Sequence, residues 1–361
     1  MPVNPLPSAP APRSPLGRYR LLSPTASVRV SPLCLGGMNF GNAWKDYMGA
    51  CDEKTTEEIL DYFFEQGGNF IDTSNNYQFE ESEKRIGVWM KKRNNRDQMV
   101  IATKYTTNYQ AVDGQPPKQN ILVNFNGNGT KSLHMSVKAS LEKLQTDYID
   151  LLYVHWWDFL TSIPELMQSL NHLVASGKVL FLGISDTPAW VVSKANEYAR
   201  CHGLRQFSVY QGRWSAAARD FEREIIPMCR AEGMALAPWG SLGGGKFKTE
   251  AERQSANKEG RALEASEADI LVSRALEVVA KRKNTLVTSV ALAYGNIEAL
   301  NIKLSDEDIR DIEDSIPFDV GFPTNFLYGG NNIPETPGAV RILSMGGTLD
   351  HVPEPKPFSK E

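Results

Sequence analysis

Four polar residues of complementary chemistry follow the ends of three successive predicted strands. They are Asp72, Tyr77, Lys104 and His155. Asp72 ends the apolar run NFID, Lys104 ends VIATK and His155 ends DLLYVH. Tyr77 lies in the loop TSNNYQFEES, directly after the first of these strands. Because the carboxyl ends of parallel barrel strands converge on one face, we expect the four side chains to meet there.

Together these groups suit the delivery of a proton to a carbonyl oxygen while a hydride reaches the carbonyl carbon. A free tyrosine has a pKa of about 10, too high for efficient proton transfer near neutral pH. The Lys104 ammonium would stabilise the phenolate and lower the tyrosine pKa, and Asp72 would keep Lys104 charged and in place. His155 would donate a hydrogen bond to the carbonyl oxygen and polarise it.

Each of these residues also has a structural explanation. A buried Asp–Lys pair is often structural inside a barrel. A lone histidine after an apolar strand is more often a hydrogen-bonded core residue than a catalyst, and a loop tyrosine usually packs. The joint occurrence of all four at the ends of consecutive strands favours a functional site.

Short apolar runs alternate with amphipathic stretches of helical period along most of the chain. The runs are Leu33–Gly36, Asn69–Asp72, Val100–Lys104, Ile149–His155, Val179–Ser185, Phe207–Gln211 and Met234–Trp239. The helical stretches are Glu53–Gln66, Glu80–Lys92, Lys131–Leu144, Ile163–Ala175, Pro188–His202 and Asp220–Ala231. This alternation predicts an α/β fold with a parallel sheet covered by helices. Seven repeats favour a closed barrel over an open doubly wound sheet.

The two ends of the chain differ from the segment between them. Residues 1–17 are rich in Pro, Ser and Ala and are expected to form a disordered tail. Residues 18–316 would form the barrel, preceded by a two-stranded element at Tyr19–Leu22 and Val28–Val30. Residues 317–361 lack periodicity and are expected to fold over the barrel mouth. Residues 105–130 are too long for a plain turn, which indicates a loop excursion near the site.

Composition narrows the class of protein. The chain has 361 residues, 41% of them hydrophobic and 23% charged, which is typical of a globular protein. Its net charge of −4 gives no reason to expect nucleic acid or an anionic membrane as partner. No apolar run has the length of a membrane span, and no secretion signal precedes the barrel. The four scattered cysteines are expected to be buried thiols, no metal site is predicted, and the expected location is the cytoplasm.

Six motifs, NFIDTSNNY, VIATK, YVH, LGISD, VYQGRW and APWGSLGGGKF, occur in this order between residues 19 and 320. In these motifs and their spacing the chain resembles the aldo-keto reductases. Among them it most resembles the fungal aryl-alcohol dehydrogenases, including the norsolorinic acid reductase type, for which DLLYVHWWDF and PFDVGFP are the cues. The resemblance implies a (β/α)8 TIM barrel, NADPH as hydride donor and catalytic roles for the four residues. It implies reduction of aromatic aldehydes or ketones, or the reverse oxidation of aryl alcohols, in fungal polyketide metabolism.

The resemblance also implies contacts to the cofactor. Ser185 and Asp186 stand where the family usually has Ser-Asn holding the nicotinamide carboxamide, so Asp186 is a departure that some members share. Gln211 would make a third carboxamide contact, Trp239 would stack on the nicotinamide ring, and Asn296 would contact the adenine. The loop whose backbone would cradle the pyrophosphate contains Ser241, Leu242, Gly243, Gly245 and Lys246. On its own, the SLGGGK pattern is also that of a flexible turn.

The resemblance breaks between Tyr294 and Gly295. There VTSVALAY runs directly into GNIEALNIKLSDEDI, whereas the family continues through a helix, an eighth strand and a basic loop for the adenosine 2′-phosphate. About 20 residues, roughly one strand with its connections, are expected to be absent. Seven strands would leave two open edges, so we expect weakened NADPH affinity and lowered stability. Thr285–Leu292 serving as a strand, or Val340–Met345 inserting at the gap, are the alternatives.

Aromatic residues in the predicted mouth loops would suit a flat, bulky substrate. They are Trp44, Tyr47, Trp156, Trp157, Trp214 and Phe326, of which Trp44, Trp156 and Trp157 are the expected substrate contacts. Packing of the C-terminal tail is the alternative use of these rings. Two other functions stay open: a catalytically impaired or non-enzymatic protein of this fold, and a hydrolase or aldolase with Lys104 as a Schiff base. Asp72 beside Lys104 opposes the neutral amine that a Schiff base requires.

Overall fold

The computed structural model describes residues 8–110, 121–254, 261, 263–293 and 302–328. Near the start of this part, β1 (Arg20–Ser23) and β2 (Ala26–Val30) form an antiparallel hairpin, as predicted. The hairpin is joined to the amino end of the strand that begins at Phe70. Asn69, the residue before that strand, donates from Nδ2 to Arg29 O at 3.0 Å.

Seven parallel strands form the main sheet in the order in which they follow one another along the chain. They are β3 (Leu35–Gly36), β4 (Phe70–Asp72), β5 (Val100–Tyr105), β6 (Ile149–Val154), β7 (Val179–Ser185), β8 (Phe207–Arg213) and β9 (Ala235–Trp239). Within the described residues, the sheet curls into an open barrel that lacks one strand of the (β/α)8 arrangement. This agrees with the predicted strands and with the predicted fold without an eighth strand.

Twelve helices are present in the described residues. They are α1 (Lys45–Met48), α2 (Glu53–Glu65), α3 (Glu81–Arg93), α4 (Thr130–Leu144), α5 (Ile163–Ala175), α6 (Ala189–Cys201), α7 (Ile225–Glu232), α8 (Glu250–Gln254), α9 (Glu267–Lys283), α10 (Val287–Ala291), α11 (Asp306–Glu313) and α12 (Thr324–Tyr328). Their boundaries have local causes. Ser162 caps α5 by accepting from Glu165 N, and Gly233 ends α7 in the left-handed conformation that glycine adopts without strain.

Apolar clusters lie on both sides of the curled sheet. The inner cluster joins strand residues such as Val100, Leu151 and Tyr153 to Leu22 and Val30 of the hairpin. The hairpin therefore closes the amino ends of the strands, opposite to the end that carries the predicted site. A larger cluster fills the space between the sheet and its helices. This packing leaves the carboxyl ends of the strands as the accessible face.

The missing strand leaves two sheet edges without a partner in the described part of the chain. β3 pairs only with β4, and β9 pairs only with β8. Every residue of β5 and β6 is buried, whereas every residue of β9 remains at least partly exposed. The open edge thus exposes the strand that ends at Trp239.

The alternative that Thr285–Leu292 replaces the missing strand is wrong. Residues 287–291 form α10, which buries Val287, Val290 and Ala291 against α9. Their spacing of three and four residues fits one face of a helix, and this packing outweighs the strand preference of β-branched residues. The other alternative segment, Val340–Met345, and the junction of Tyr294 with Gly295 lie outside the described residues.

The predicted N-terminal tail is ordered at its end. Pro15–Gly17 form a short 3₁₀ helix in which Leu16 is fully buried, and Ser14 Oγ donates to Gln66 O at 2.8 Å. The buried Leu16 and the hydrogen bond of Ser14 to the residue after α2 hold this segment in place, despite the Pro-rich composition around it. At the other end, residues 317–328 are described, and the guanidiniums of Arg219 and Arg223 lie over the Phe318 ring.

The cysteines are free thiols, as predicted, but only Cys51 and Cys229 are buried, whereas Cys34 and Cys201 are exposed. Across the described ranges, no cluster of three or more His, Cys, Asp or Glu side chains could hold a metal ion. No helix in these ranges has both the length and the apolar character required to span a membrane.

Candidate active site

A buried ion pair joins the ends of β4 and β5. Lys104 Nζ donates to Asp72 Oδ1 and to Thr73 O, the latter at 2.8 Å. Burial alone would lower the Lys104 pKa, but the charges of Asp72 and Tyr77 outweigh it and raise that pKa. Lys104 is therefore an ammonium at neutral pH, which opposes its use as a Schiff-base nucleophile.

Tyr77 lies against both Lys104 and His155. Lys104 Nζ is 4.9 Å from the centroid of the tyrosine ring, and the centroids of the Tyr77 and His155 rings are 5.9 Å apart. The expected net lowering of the Tyr77 pKa is wrong: burial raises it, Lys104 offsets only part of that rise, and Asp72 adds to it. At neutral pH the phenol therefore keeps its proton, the form that a proton donor needs.

The loop that carries Tyr77 has an uncommon backbone. Gln78, Phe79 and Glu80 follow it with φ of 52°, 48° and 78°, the left-handed region that side chains disfavour. Side-chain contacts hold the turn, since Gln78 Oε1 accepts from Trp44 N at 2.8 Å and Gln78 Nε2 donates to Met38 O at 3.1 Å. The residue that directly follows Tyr77 is thus fixed by two hydrogen bonds to the segment after β3.

A buried charge cluster supports the same loop from outside. Lys143 Nζ lies 2.7 Å from Glu83 Oε2 and 3.4 Å from Glu80 Oε1, and donates to Asn75 O at 2.9 Å. Thr103 Oγ1 donates to the other oxygen of Glu83. The Glu83 carboxylate is fully buried, so its charge depends on Lys143.

Lys143→Met is expected to lower the free energy of unfolding by about 3–5 kcal/mol, because it leaves a buried carboxylate without its cation. Lys92→Met is the matched control, since Lys92 forms an exposed pair with Glu57 that is worth about 0–1 kcal/mol. Urea unfolding of both variants measures the difference. Equal losses in the two variants would contradict the assigned role of Lys143.

His155 is a neutral imidazole. Burial, and to a smaller extent the Lys104 charge, lower its pKa to about 3. Its Nδ1 lies 3.3 Å from Ser74 Oγ and 3.4 Å from Thr107 Oγ1. The sequence analysis missed Ser74 and Thr107, although each lies within three residues of a strand end that carries Asp72 or Lys104.

The end of β7 holds a buried polar atom without a partner. The Ser185 side chain is 1% exposed, and its Oγ has no hydrogen-bond partner among the described residues. Asp186 beside it accepts from Trp239 Nε1 at 3.2 Å, and Gln211 Nε2 donates to Asp72 Oδ2 at 3.0 Å. An unsatisfied hydroxyl next to an amide and a carboxyl fits the expected carboxamide of a nicotinamide.

The glycine loop after β9 has the backbone of an anion-binding turn but no free cation at Lys246. Gly243, Gly244 and Gly245 all have positive φ, between 62° and 91°. Lys246 Nζ instead pairs with Asp269 Oδ2 at 2.7 Å, so its charge is neutralised by α9. Ser241 and Leu242 lie half-buried in the same loop. Asn296 lies outside the described residues.

The aromatic residues expected at the mouth separate into two groups. Trp44 packs edge-on against Tyr77 at 6.3 Å, and Trp156 is partly exposed beside His155. Trp157 is only 8% exposed and belongs to the core between sheet and helices, so its assignment as a substrate contact is not supported.

The remaining candidate rings also divide by exposure. Trp214 stacks on Phe221 at 6.4 Å and is half-buried, whereas Tyr47 and Phe326 are exposed. Trp214 therefore has a packing role against Phe221, which is not part of the C-terminal tail that the alternative invoked. Tyr47 and Phe326 carry no contact in the described structure that assigns them to the site.

The arrangement of these groups can be compared with known proteins. The sequence profile of the aldo/keto reductase family matches residues 32–296. The chain belongs to this family. The aldo/keto reductase described here is 54% identical to norsolorinic acid reductase A of Aspergillus parasiticus, over 98% of this chain and 96% of the relative. It is 53% identical to norsolorinic acid reductase B of Dothistroma septosporum, over 94% of this chain and 93% of the relative.

A third relative is a putative aryl-alcohol dehydrogenase of Saccharomyces cerevisiae, 49% identical over 88% of this aldo/keto reductase and 92% of the relative. The alignment with the Aspergillus parasiticus protein has 385 positions. It includes 98% of the 361 residues of this chain, which is about 354 residues. About 31 aligned positions therefore have no residue in this chain. A deficit of this size agrees with the absence of one strand and its connections.

Proposed function

We propose that this aldo/keto reductase reduces aromatic aldehydes or ketones with NADPH, and oxidises the corresponding alcohols in reverse. The observation that carries the proposal is the convergence of Tyr77, Lys104, Asp72 and His155 at the carboxyl ends of three strands. The unpartnered Ser185 hydroxyl at the same face supports a bound nicotinamide. Family membership supports a nicotinamide cofactor, and the preference for NADPH rests on the resemblance of the motifs.

Each residue of the site has a role in this reaction. A nicotinamide held by Ser185, Asp186 and Gln211 would supply the hydride to the carbonyl carbon. Tyr77 donates its phenolic proton to the carbonyl oxygen, and the Lys104 ammonium stabilises the phenolate left behind. Asp72 keeps Lys104 charged and oriented.

His155 orients the substrate. The neutral ring donates a hydrogen bond to the carbonyl oxygen and polarises it, without adding a positive charge next to Lys104. Its low pKa excludes it as the proton donor at neutral pH, because almost no imidazolium is present to lose a proton. Proton delivery therefore falls to Tyr77.

The proposed substrate class follows from the rings at the mouth and from the named relatives. Trp44 beside Tyr77 and Trp156 beside His155 offer apolar faces to a flat ring. Relatives named for norsolorinic acid and for aryl alcohols support an aromatic substrate and a place in fungal secondary metabolism. Steady-state rates should favour benzaldehydes over short aliphatic aldehydes, and the opposite order would contradict this assignment.

Ser185→Ala is expected to weaken NADPH binding by about 2- to 10-fold, the effect of one lost hydrogen bond of about 0.5–1.5 kcal/mol. It should not destabilise the free protein, because the hydroxyl has no partner to lose. Fluorescence titration with NADPH and urea unfolding measure the two effects.

Ser132→Ala is the matched control for Ser185→Ala. Ser132 is also buried and its Oγ also has no partner among the described residues, but it lies on α4 and is not one of the residues assigned to the cofactor. Its substitution should leave the NADPH affinity unchanged. Equal affinities of both variants would remove Ser185 from the proposed cofactor contacts.

A catalytically impaired form is the second candidate, and the open edge at β9 favours it. The strand that carries Trp239 is partly exposed along its length, so the surface against which a nicotinamide would lie is less supported than in a closed barrel. NADPH binding without turnover of any aromatic aldehyde or alcohol would select this candidate over the enzyme.

A further inference from the structure

The proton position on His155 determines whether this ring can serve a carbonyl oxygen. A neutral imidazole has one N–H, and the other ring nitrogen can only accept. Nδ1 faces the hydroxyls of Ser74 and Thr107 and therefore faces away from a substrate at Nε2. Only the form with the proton on Nε2 can donate to a carbonyl.

Besides His155, the hydroxyl of Thr107 contacts a group that can only donate a hydrogen bond. Trp156 Nε1 donates to Thr107 Oγ1 at 3.0 Å, and indole N–H has no acceptor capacity. The threonine hydroxyl has a single hydrogen, and in the described contacts its remaining partner is His155 Nδ1 at 3.4 Å. Its hydrogen is therefore directed at Nδ1.

The hydroxyl of Ser74 has another acceptor. Ser74 Oγ donates to Asn76 Oδ1 at 2.9 Å, closer than the 3.3 Å to His155 Nδ1. Ser74 is thus satisfied in either form of the imidazole. A proton on Nδ1 would instead leave the Thr107 hydroxyl hydrogen without a protein acceptor, which is unfavourable in a partly buried site.

Both residues of this chain of hydrogen bonds are held in place. Asn75 Nδ2 donates to Thr107 O at 3.0 Å, and Asn128 Nδ2 donates to Trp156 O at 2.9 Å. Asn128 also donates to Thr106 Oγ1 at 3.0 Å, which ties the two loops together. The loop after β5 and the loop after β6 therefore keep a fixed spacing.

We propose that Trp156 and Thr107 form a relay that fixes His155 with its proton on Nε2. Thr107 is then a positioning residue, since it acts on the substrate only through His155. The consequence for catalysis rests on the proposed carbonyl reduction, whereas the tautomer is a property of the protein alone.

Nitrogen-15 NMR of the histidine rings tests the relay in the full chain. The chain has five histidines, and the His155 signals are those lost in His155→Gln. The wild-type ring should show the Nε2–H form. Thr107→Val, which keeps the shape and removes the hydroxyl, should move population to Nδ1–H, while Thr107→Ser should keep the wild-type pattern. A wild-type ring in the Nδ1–H form, or an unchanged ring in Thr107→Val, would overturn the proposal.

Kinetics give the second readout. The kcat for an aromatic aldehyde should fall about tenfold in Thr107→Val and recover in Thr107→Ser, with the NADPH dissociation constant unchanged in both. Unchanged kcat in Thr107→Val together with a changed tautomer would overturn the catalytic consequence. Absence of turnover in the wild-type chain would count against the proposed function, and the NMR result would then decide the relay by itself.

Discussion

Replacing Lys104 by methionine is expected to abolish aldehyde reduction and to lower the free energy of unfolding by about 3–5 kcal/mol. The Lys104 ammonium is fully buried and is the cationic partner of Asp72. Its removal leaves a buried carboxylate whose remaining side-chain donor is Gln211 at 3.0 Å. The phenolate of Tyr77 would also lose its stabilising charge, so the chemical step slows as well. Urea unfolding and NADPH consumption with an aromatic aldehyde measure the two effects.

Two variants separate these effects. Lys138→Met replaces an exposed lysine of α4 and should change neither quantity. Adding Asp72→Asn to Lys104→Met removes the unpaired charge, so stability should recover in part while activity stays lost. Recovery of both quantities in the double variant, or wild-type stability of Lys104→Met, would contradict the role given to the pair.

Tyr77→Phe is expected to slow reduction by about 10²- to 10⁴-fold, the range of general acid catalysis. The substitution keeps the ring that packs against Trp44 and His155 and removes only the oxygen. Affinity for NADPH should therefore stay at the wild-type value. The measurement is kcat with an aromatic aldehyde, together with a fluorescence titration of NADPH.

The matched control is Tyr47→Phe, since Tyr47 is an exposed tyrosine in α1. Its kcat should equal that of the wild type. The pH dependence gives a further check: burial raises the Tyr77 pKa, so the phenol stays protonated and the reduction rate should not fall between neutral pH and the usual tyrosine pKa of about 10. Undiminished kcat in Tyr77→Phe would remove Tyr77 as the proton donor.

The position of the site could be predicted from the sequence because it depends on strand ends. Asp72 and Lys104 stand at the carboxyl ends of β4 and β5, and parallel pairing of these strands places their side chains together. The same rule placed His155 one strand further on. None of these predictions required knowledge of side-chain packing.

The properties that depend on packing could not be predicted in this way. The pKa of Tyr77 results from burial against a nearby cation, and the sequence shows the cation but not the burial. The ion pair of Lys246 with Asp269 likewise depends on how α9 packs against the glycine loop. The role of Thr107 likewise depends on an indole N–H that comes from the loop after the neighbouring strand.

The missing strand shows how a local deletion affects distant residues. Residues 287–291 keep their helix because α9 still covers them, while β9 loses the neighbour that would have covered its outer edge. In the sequence, the family resemblance is interrupted after Tyr294. Only the three-dimensional arrangement shows that the strand left partly exposed is β9, which ends at Trp239. The four residues of the site lie on or directly after β4, β5 and β6. At least two strands, β7 and β8, separate them from the open edge at β9.

Transfer of deuterium from the cofactor to an aldehyde reports directly on the reaction proposed for this site. The wild-type chain is incubated with NADPH deuterated at both C4 positions and with an aromatic aldehyde, and the alcohol is analysed by mass spectrometry. If the site performs hydride transfer with Tyr77 as proton donor, the alcohol should carry one deuterium on the former carbonyl carbon, and Tyr77→Phe should form almost none in the same time. Absence of deuterated alcohol from the wild-type chain would exclude hydride transfer at this site. Equal amounts from both proteins would exclude Tyr77 as the proton donor.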